Sequence, residues 1–233
     1  MIFKTPDQPA FAFVGQITFL LCLCCVLALA ASAQQGSGAT VAFTCDFPGS
    51  DPSHYGISVN SDGHASYISD GKLAQDSEPD APFTQDFTLP AASVAHILDL
   101  TKQAGYFEGK VDSGKKNIAS TGEKTLSYKD AQKNTSATYN YSPMPAVQEL
   151  TSLFQNLSAT LEFGRRIEFE RHYQKLALDE ELKRLEDMAS RGEVAEIEVI
   201  APILQKLLDD QSVINTVRAR AQRLLERAPT GAK

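Results

Sequence analysis

The chain has 233 residues, room for one domain of ordinary size plus an extension, and its 42% apolar and 22% charged content excludes a disordered polypeptide. A formal charge of −7 and a pI near 5.1 argue against phosphate-backbone binding and against docking on anionic lipid, both of which need clustered Lys and Arg. No nucleic acid partner is expected.

The first element is Ile17 to Ala30, apolar apart from one Thr, ending in Ala31-Ser32-Ala33. The stretch is short for a membrane span, and the small-x-small ending is that of a cleavage site. It predicts a signal peptide over residues 1–33, with Gln34 opening an exported chain, periplasmic or extracellular. No transmembrane segment is expected after cleavage; an uncleaved N-terminal anchor is the alternative. Cys22, Cys24 and Cys25 leave with the signal, so Cys45 remains as a single free thiol that cannot form an internal disulfide. Its sequence neighbours Phe43 and Asp46 offer no positive charge, which reads as a small buried hydrophobe rather than a nucleophile.

Residues 34–162 read as a mixed domain. Val41 to Cys45 is a first strand. Tyr55 to Val59 and His64 to Ile68 alternate around Asn60-Ser61-Asp62-Gly63, a β-hairpin signal. Residues 70–82 are an acidic, proline-bounded loop, and Phe83 to Leu89 alternates again. Pro90 opens a helix whose inner face is read as Val94, Ile97, Leu98 and Thr101, stopped at Gly105. Residues 108–123 form a loop. A second hairpin follows, Thr125 to Lys129 and Thr135 to Tyr141. Val147, Leu150, Phe154, Leu157 and Leu161 then recur at helical spacing. The expected fold is α+β: an antiparallel sheet of two hairpins plus a strand, with helices on one face and an α-helical C-terminal tail. This order, with the acidic loop and the Gly105-Tyr106-Phe107 turn, resembles small secreted bacterial domains of unknown function over residues 54–160. The resemblance implies the α+β fold and transfers no active site.

Residues 163–233 read as a helical extension. Leu178, Leu182, Leu185 and Ala189 form one stripe, stopped by Gly192. Ile197, Ile200, Leu204 and Leu207 form the next, with a kink or helix start near Pro202. Ile214, Val217, Ala221 and Leu224 form a third, capped by Ser212. Carried past Leu161, the apolar seam meets polar residues, so the face must move around the helix after Gly164 or the helix must break there. Glu162 with Arg166, Asp179 with Lys183, Glu180 with Arg184 and Asp187 with Arg191 sit at i,i+4 and read as the solvated side. The stripes either fold back into a helical hairpin or meet a protein partner or a second copy.

No catalytic or metal-binding motif is present in the sequence, and no cofactor is expected. His54 and His64 flank one hairpin and are the one histidine pair expected to be neighbours. Tyr128, Tyr139 and Tyr141 are the candidate aromatic binding face. Asn134, Asn140 and Asn156 match the glycosylation sequon, which matters only on a eukaryotic secretory route. The functional expectation is a non-enzymatic binding or protein-interaction module of the cell envelope. The rival is an envelope hydrolase drawing on acidic residues with His54 and His64.

Overall fold

A computed structural model describes residues 38–73 and 82–227. The expected signal peptide, most of the acidic loop and the last six residues lie outside the described residues. Among the described residues, six strands form one antiparallel sheet: β1 (Thr40–Asp46), β2 (His54–Asn60), β3 (His64–Ser69), β4 (Phe83–Thr88), β5 (Glu123–Lys129) and β6 (Asn134–Tyr139), in the order β4-β3-β2-β1-β5-β6. Alternation decides the two faces. Val41, Phe43 and Cys45 of β1, Tyr55, Ile57 and Val59 of β2, and Leu126 and Tyr128 of β5 are buried. The intervening residues are largely small and hydroxylic: register carries Ser136, Ser127, Ala42, Ser58 and Ser66 across the sheet in one row.

The buried face is covered by α1 (Ala91–Gln103) and by the first half of α2 (Pro145–Tyr173). On α1 the buried residues are Val94, Ile97, Leu100 and Thr101, with Leu98 only half-buried. This corrects the expected face. It is centred on Ile97, and Leu98 lies 100° around the helix from that point, whereas Leu100 falls within the stripe. After α1, Gly105, Tyr106 and Phe107 all take positive φ, at 63°, 56° and 62°. Such a conformation costs a non-glycine residue about 1–2 kcal/mol. Tertiary contacts hold it: Phe107 is buried, the Tyr106 ring lies 4.8 Å from Tyr128, and the Thr135 hydroxyl donates to the Tyr106 carbonyl at 2.6 Å.

α2 is the spine of the molecule. Val147, Leu150, Phe154, Leu157 and Leu161 enter the sheet core, and the apolar face then moves around the helix to Phe163 and Ile167. Those two enter a second core with the tail. The division expected after residue 162 therefore separates two cores but falls inside one continuous helix. Gly164 permits this arrangement, because a Cβ there would lie 2.6 Å from Ile200 Cγ2.

The chain turns after Tyr173 and folds back. α3 (Leu178–Arg191) packs on α2 and ends at Gly192; a short 3₁₀ turn (Ile197–Ile200) leads into α4 (Ala201–Asp209), and α5 (Asn215–Arg227) completes the bundle. Pro202 lies in the first turn of α4, where a missing N–H is harmless. Leu178, Leu182, Leu185, Leu204, Leu207, Val217, Ala221 and Leu224 are all fully buried, so the stripes cover one another within one chain. Two details differ from expectation. Ile214 is exposed while Val213 is buried, and the Ser212 hydroxyl donates to Asp210 instead of capping α5. Among the described residues, no helix is long and apolar enough to cross a membrane.

Candidate functional site

A cleft of about 790 Å³ opens where the ends of β1 and β2 meet α2 and α3. Helical spacing builds its long wall. Gln155, Ser158, Glu162 and Arg166 fall at intervals of 3, 4 and 4, a polar stripe beside the apolar one that enters the sheet core. Cys45 and Tyr55 lie at the sheet end, and Arg184 and Met188 close the cleft from α3.

At the sheet end, register supplies what the local sequence does not. Cys45 stands opposite Tyr55 on β2 and Lys124 on β5, so a positive charge does sit beside the thiol. Lys124 is buried and donates to Thr121 Oγ1 at 2.9 Å, the Gly122 carbonyl at 2.9 Å and the Asn140 carbonyl at 3.1 Å. Cys45 is 4% exposed. Burial pushes its pKa up, against the smaller downward pulls of the Tyr55 hydroxyl and the Lys124 charge. A thiol held protonated is a poor nucleophile.

In the middle of the wall, Glu162 is buried rather than solvated. It accepts from the Tyr67 hydroxyl at 2.8 Å and the Ser69 hydroxyl at 2.5 Å, with Arg165 Nη1 at 3.9 Å. The i,i+4 partner expected for it, Arg166, turns instead to Glu181 on α3 at 2.5 Å. Glu181 also takes Arg184 at 3.0 Å. Both guanidiniums lie over Phe163, at 4.8 and 5.7 Å from the ring centroid. The cleft thus carries two cations sharing one carboxylate, with Lys72 also on its wall. No sequence motif marks this cluster; only the polar stripe along α2 foreshadows it.

Behind the cluster, Glu170 faces Glu181, Arg166 and Arg184, and its Oε2 is buried with no hydrogen-bond partner. Burial, and then the Glu181 charge, push its pKa up to about 7. Glu198 is raised to about 7 as well, by burial and by its neighbour Glu196. An unfolded glutamate ionises near 4.5. Between that value and about 7 the unfolded chain sheds protons that the folded chain keeps, so stability falls as pH rises through this window. Scanning calorimetry should show Tm dropping by about 5 °C between pH 5 and pH 8, and Glu170→Gln should remove part of that slope. An unchanged slope in the variant would count against this origin.

The other sequence candidates scatter. Tyr128 and Tyr139 are buried at opposite ends of their hairpin, donating to Asp130 at 2.7 Å and pairing with Thr151 at 2.6 Å; Tyr141 is exposed past the end of β6. They form no common aromatic face. His54 and His64 begin β2 and β3, which run antiparallel, so they sit at opposite ends of the hairpin. Their partners differ accordingly. His54 meets Asp46 at 2.6 Å, while the His64 backbone N–H donates to Asp62. The expected neighbourhood is thereby overturned, and with it the histidine pair of the hydrolase reading. Asn156 is engaged within the fold, donating to the Gly192 carbonyl at 2.9 Å. Among the described residues, no group of three or more His, Cys, Asp or Glu converges as metal ligands would. Compared with known proteins, the chain matches no family model and no curated sequence, so any functional reading rests on the site itself.

Proposed function

We propose that this chain is an exported, non-enzymatic binding module of the cell envelope whose cleft takes a small anion, a carboxylate or a phosphate. The observation that carries the reading is the pair of guanidiniums over Phe163. Three cations meet at this cleft, Arg166 and Arg184 sharing Glu181 and Lys72 beside them, against the carboxylates of Asp51 and Glu162 on the same lining. Arg184 is 57% exposed at its side chain and free to swing one face of its fork to a carboxylate or phosphate. Export is supported by the apolar stretch and the Ala31-Ser32-Ala33 ending. The non-enzymatic character is supported by the buried titratable groups at the cleft, since Lys124 and Glu162 are consumed by internal partners and the Cys45 thiol stays protonated.

Calorimetric titration with succinate and with inorganic phosphate tests the binding. At least one should bind the wild-type chain, and Arg184→Ala should weaken that binding about tenfold or more, the worth of one charge-assisted hydrogen bond. Equal binding by the variant, or no heat with either probe, would sink the anion reading. Mass spectrometry of the exported chain should find Gln34 first; an intact N-terminus would sink the cleavage.

A further inference from the structure

A separate surface lies at the other end of the sheet from β6. The strand order leaves two edges, β4 and β6. The β6 edge is tied down by the chain ahead of β5: Thr135 bonds the Tyr106 carbonyl, the Asn140 N–H donates to Asp112 at 3.0 Å, and the Ser113 N–H donates to the Tyr141 carbonyl at 2.9 Å. Among the described residues, no segment pairs with the outer edge of β4. That strand is six residues long, regular in register, and holds no Pro or bulge; the exposed Asp86 is its one charge.

Its sequence is self-complementary. Phe83-Thr84-Gln85-Asp86-Phe87 reads almost alike in both directions from Gln85. Two such strands laid antiparallel about a two-fold axis at Gln85 place Phe83 opposite Phe87, Thr84 opposite Asp86, and Gln85 opposite itself. Each is a favourable cross-strand pair: ring on ring, hydroxyl on carboxylate, amide on amide. Phe83, Gln85 and Phe87 are half-buried toward the helices, while Thr84 and Asp86 point outward. Beside the strand runs a groove of about 730 Å³, bounded by Phe83 and Gln85, by Phe169 and Tyr173 of α2 and Ile203 of α4, with Arg165, Glu168, His172 and Lys206 also on its lining. Tyr173 is 75% exposed and Leu176, just past the helix end, 90%. An axis normal to the sheet keeps the helical layers of both copies on the same side.

We propose that the β4 edge and this groove are a two-fold interface at which two copies of this chain join their sheets, centred on Gln85. A second copy is the occupant because the register matches the strand to itself, residue by residue, which a partner of different sequence would have to reproduce. This proposal is independent of the cleft.

Light scattering on the exported chain, from low micromolar to near-millimolar concentration, should report twice the chain mass. Thr84→Asp places like charges opposite each other twice and should weaken the dimer by at least about tenfold, whereas Thr84→Lys places a cation opposite Asp86 and should preserve or tighten it. Thr84 is exposed, so neither variant disturbs the monomer fold. Gln85→Cys should give a disulfide-linked dimer on mild oxidation, because residues facing across the axis have Cβ atoms about 4.5–5.5 Å apart. A monomer at every concentration would overturn the proposal, and so would a dimer indifferent to Thr84→Asp or weakened equally by Thr84→Lys. A monomer that instead captures an extended peptide on β4 would overturn it in favour of a different partner.

Discussion

Phe154→Ala is expected to cost about 3–5 kcal/mol, the range for removing a large aromatic from a packed core. Phe154 is fully buried and lies against Phe43 of the central strand with centroids 5.4 Å apart and planes at 5°. Its loss removes buried apolar area, a ring contact, and the junction between α2 and β1. Since α2 also supplies Phe163 and Ile167 to the tail core, the loss should spread through the helix. Urea unfolding followed by far-ultraviolet dichroism and by a probe in the tail should show one shared, shifted midpoint with the slope unchanged. A change within about 0.5 kcal/mol, the usual surface value, would place Phe154 outside the core. Separate transitions would mean that the two cores are uncoupled.

The second large effect is expected at Glu162. Replacing it with Ala leaves the buried Tyr67 and Ser69 hydroxyls without their carboxylate acceptor and removes the negative charge facing Arg165. Breaking a buried charge pair by deleting one member typically costs about 3–5 kcal/mol. Glu162→Gln keeps an acceptor oxygen and should cost less, about 1–3 kcal/mol. The Tyr67 hydroxyl also pairs with Ser158 at 2.9 Å, which limits the damage in the Gln variant. Chemical denaturation of both variants checks the order. Ala and Gln behaving alike would show that the carboxylate charge carries the effect and that the acceptor oxygen kept by Gln contributes nothing.

Local periodicity carried the elements. The alternation from Tyr55 to Ile68 and the Val147–Leu161 stripe were legible because a side chain's direction repeats with backbone geometry, every second residue in a strand and every 3.6 in a helix. The same logic left a moving face or a break at Gly164 and a kink or a helix start near Pro202, and the first of the one and the second of the other are what the fold adopts. The site was not legible in this way. In the sequence, Glu162 looked like half of a surface ion pair with Arg166 on the wet side of a helix. Whether such a side faces water or the rim of a sheet depends on what packs against it.

By itself, then, the sequence determined which residues turn inward along each strand and helix, because that information is local. Only the tertiary structure decided which strands are neighbours and in what register. That choice set Lys124 beside Cys45 across some eighty residues of chain, parted His54 from His64, and left β4 at an edge. It also decided that the tail stripes cover one another and that one helix serves two cores. These outcomes rest on long-range pairing, where many arrangements bury similar apolar area and the choice turns on packing fit and hydrogen bonds between segments far apart in sequence.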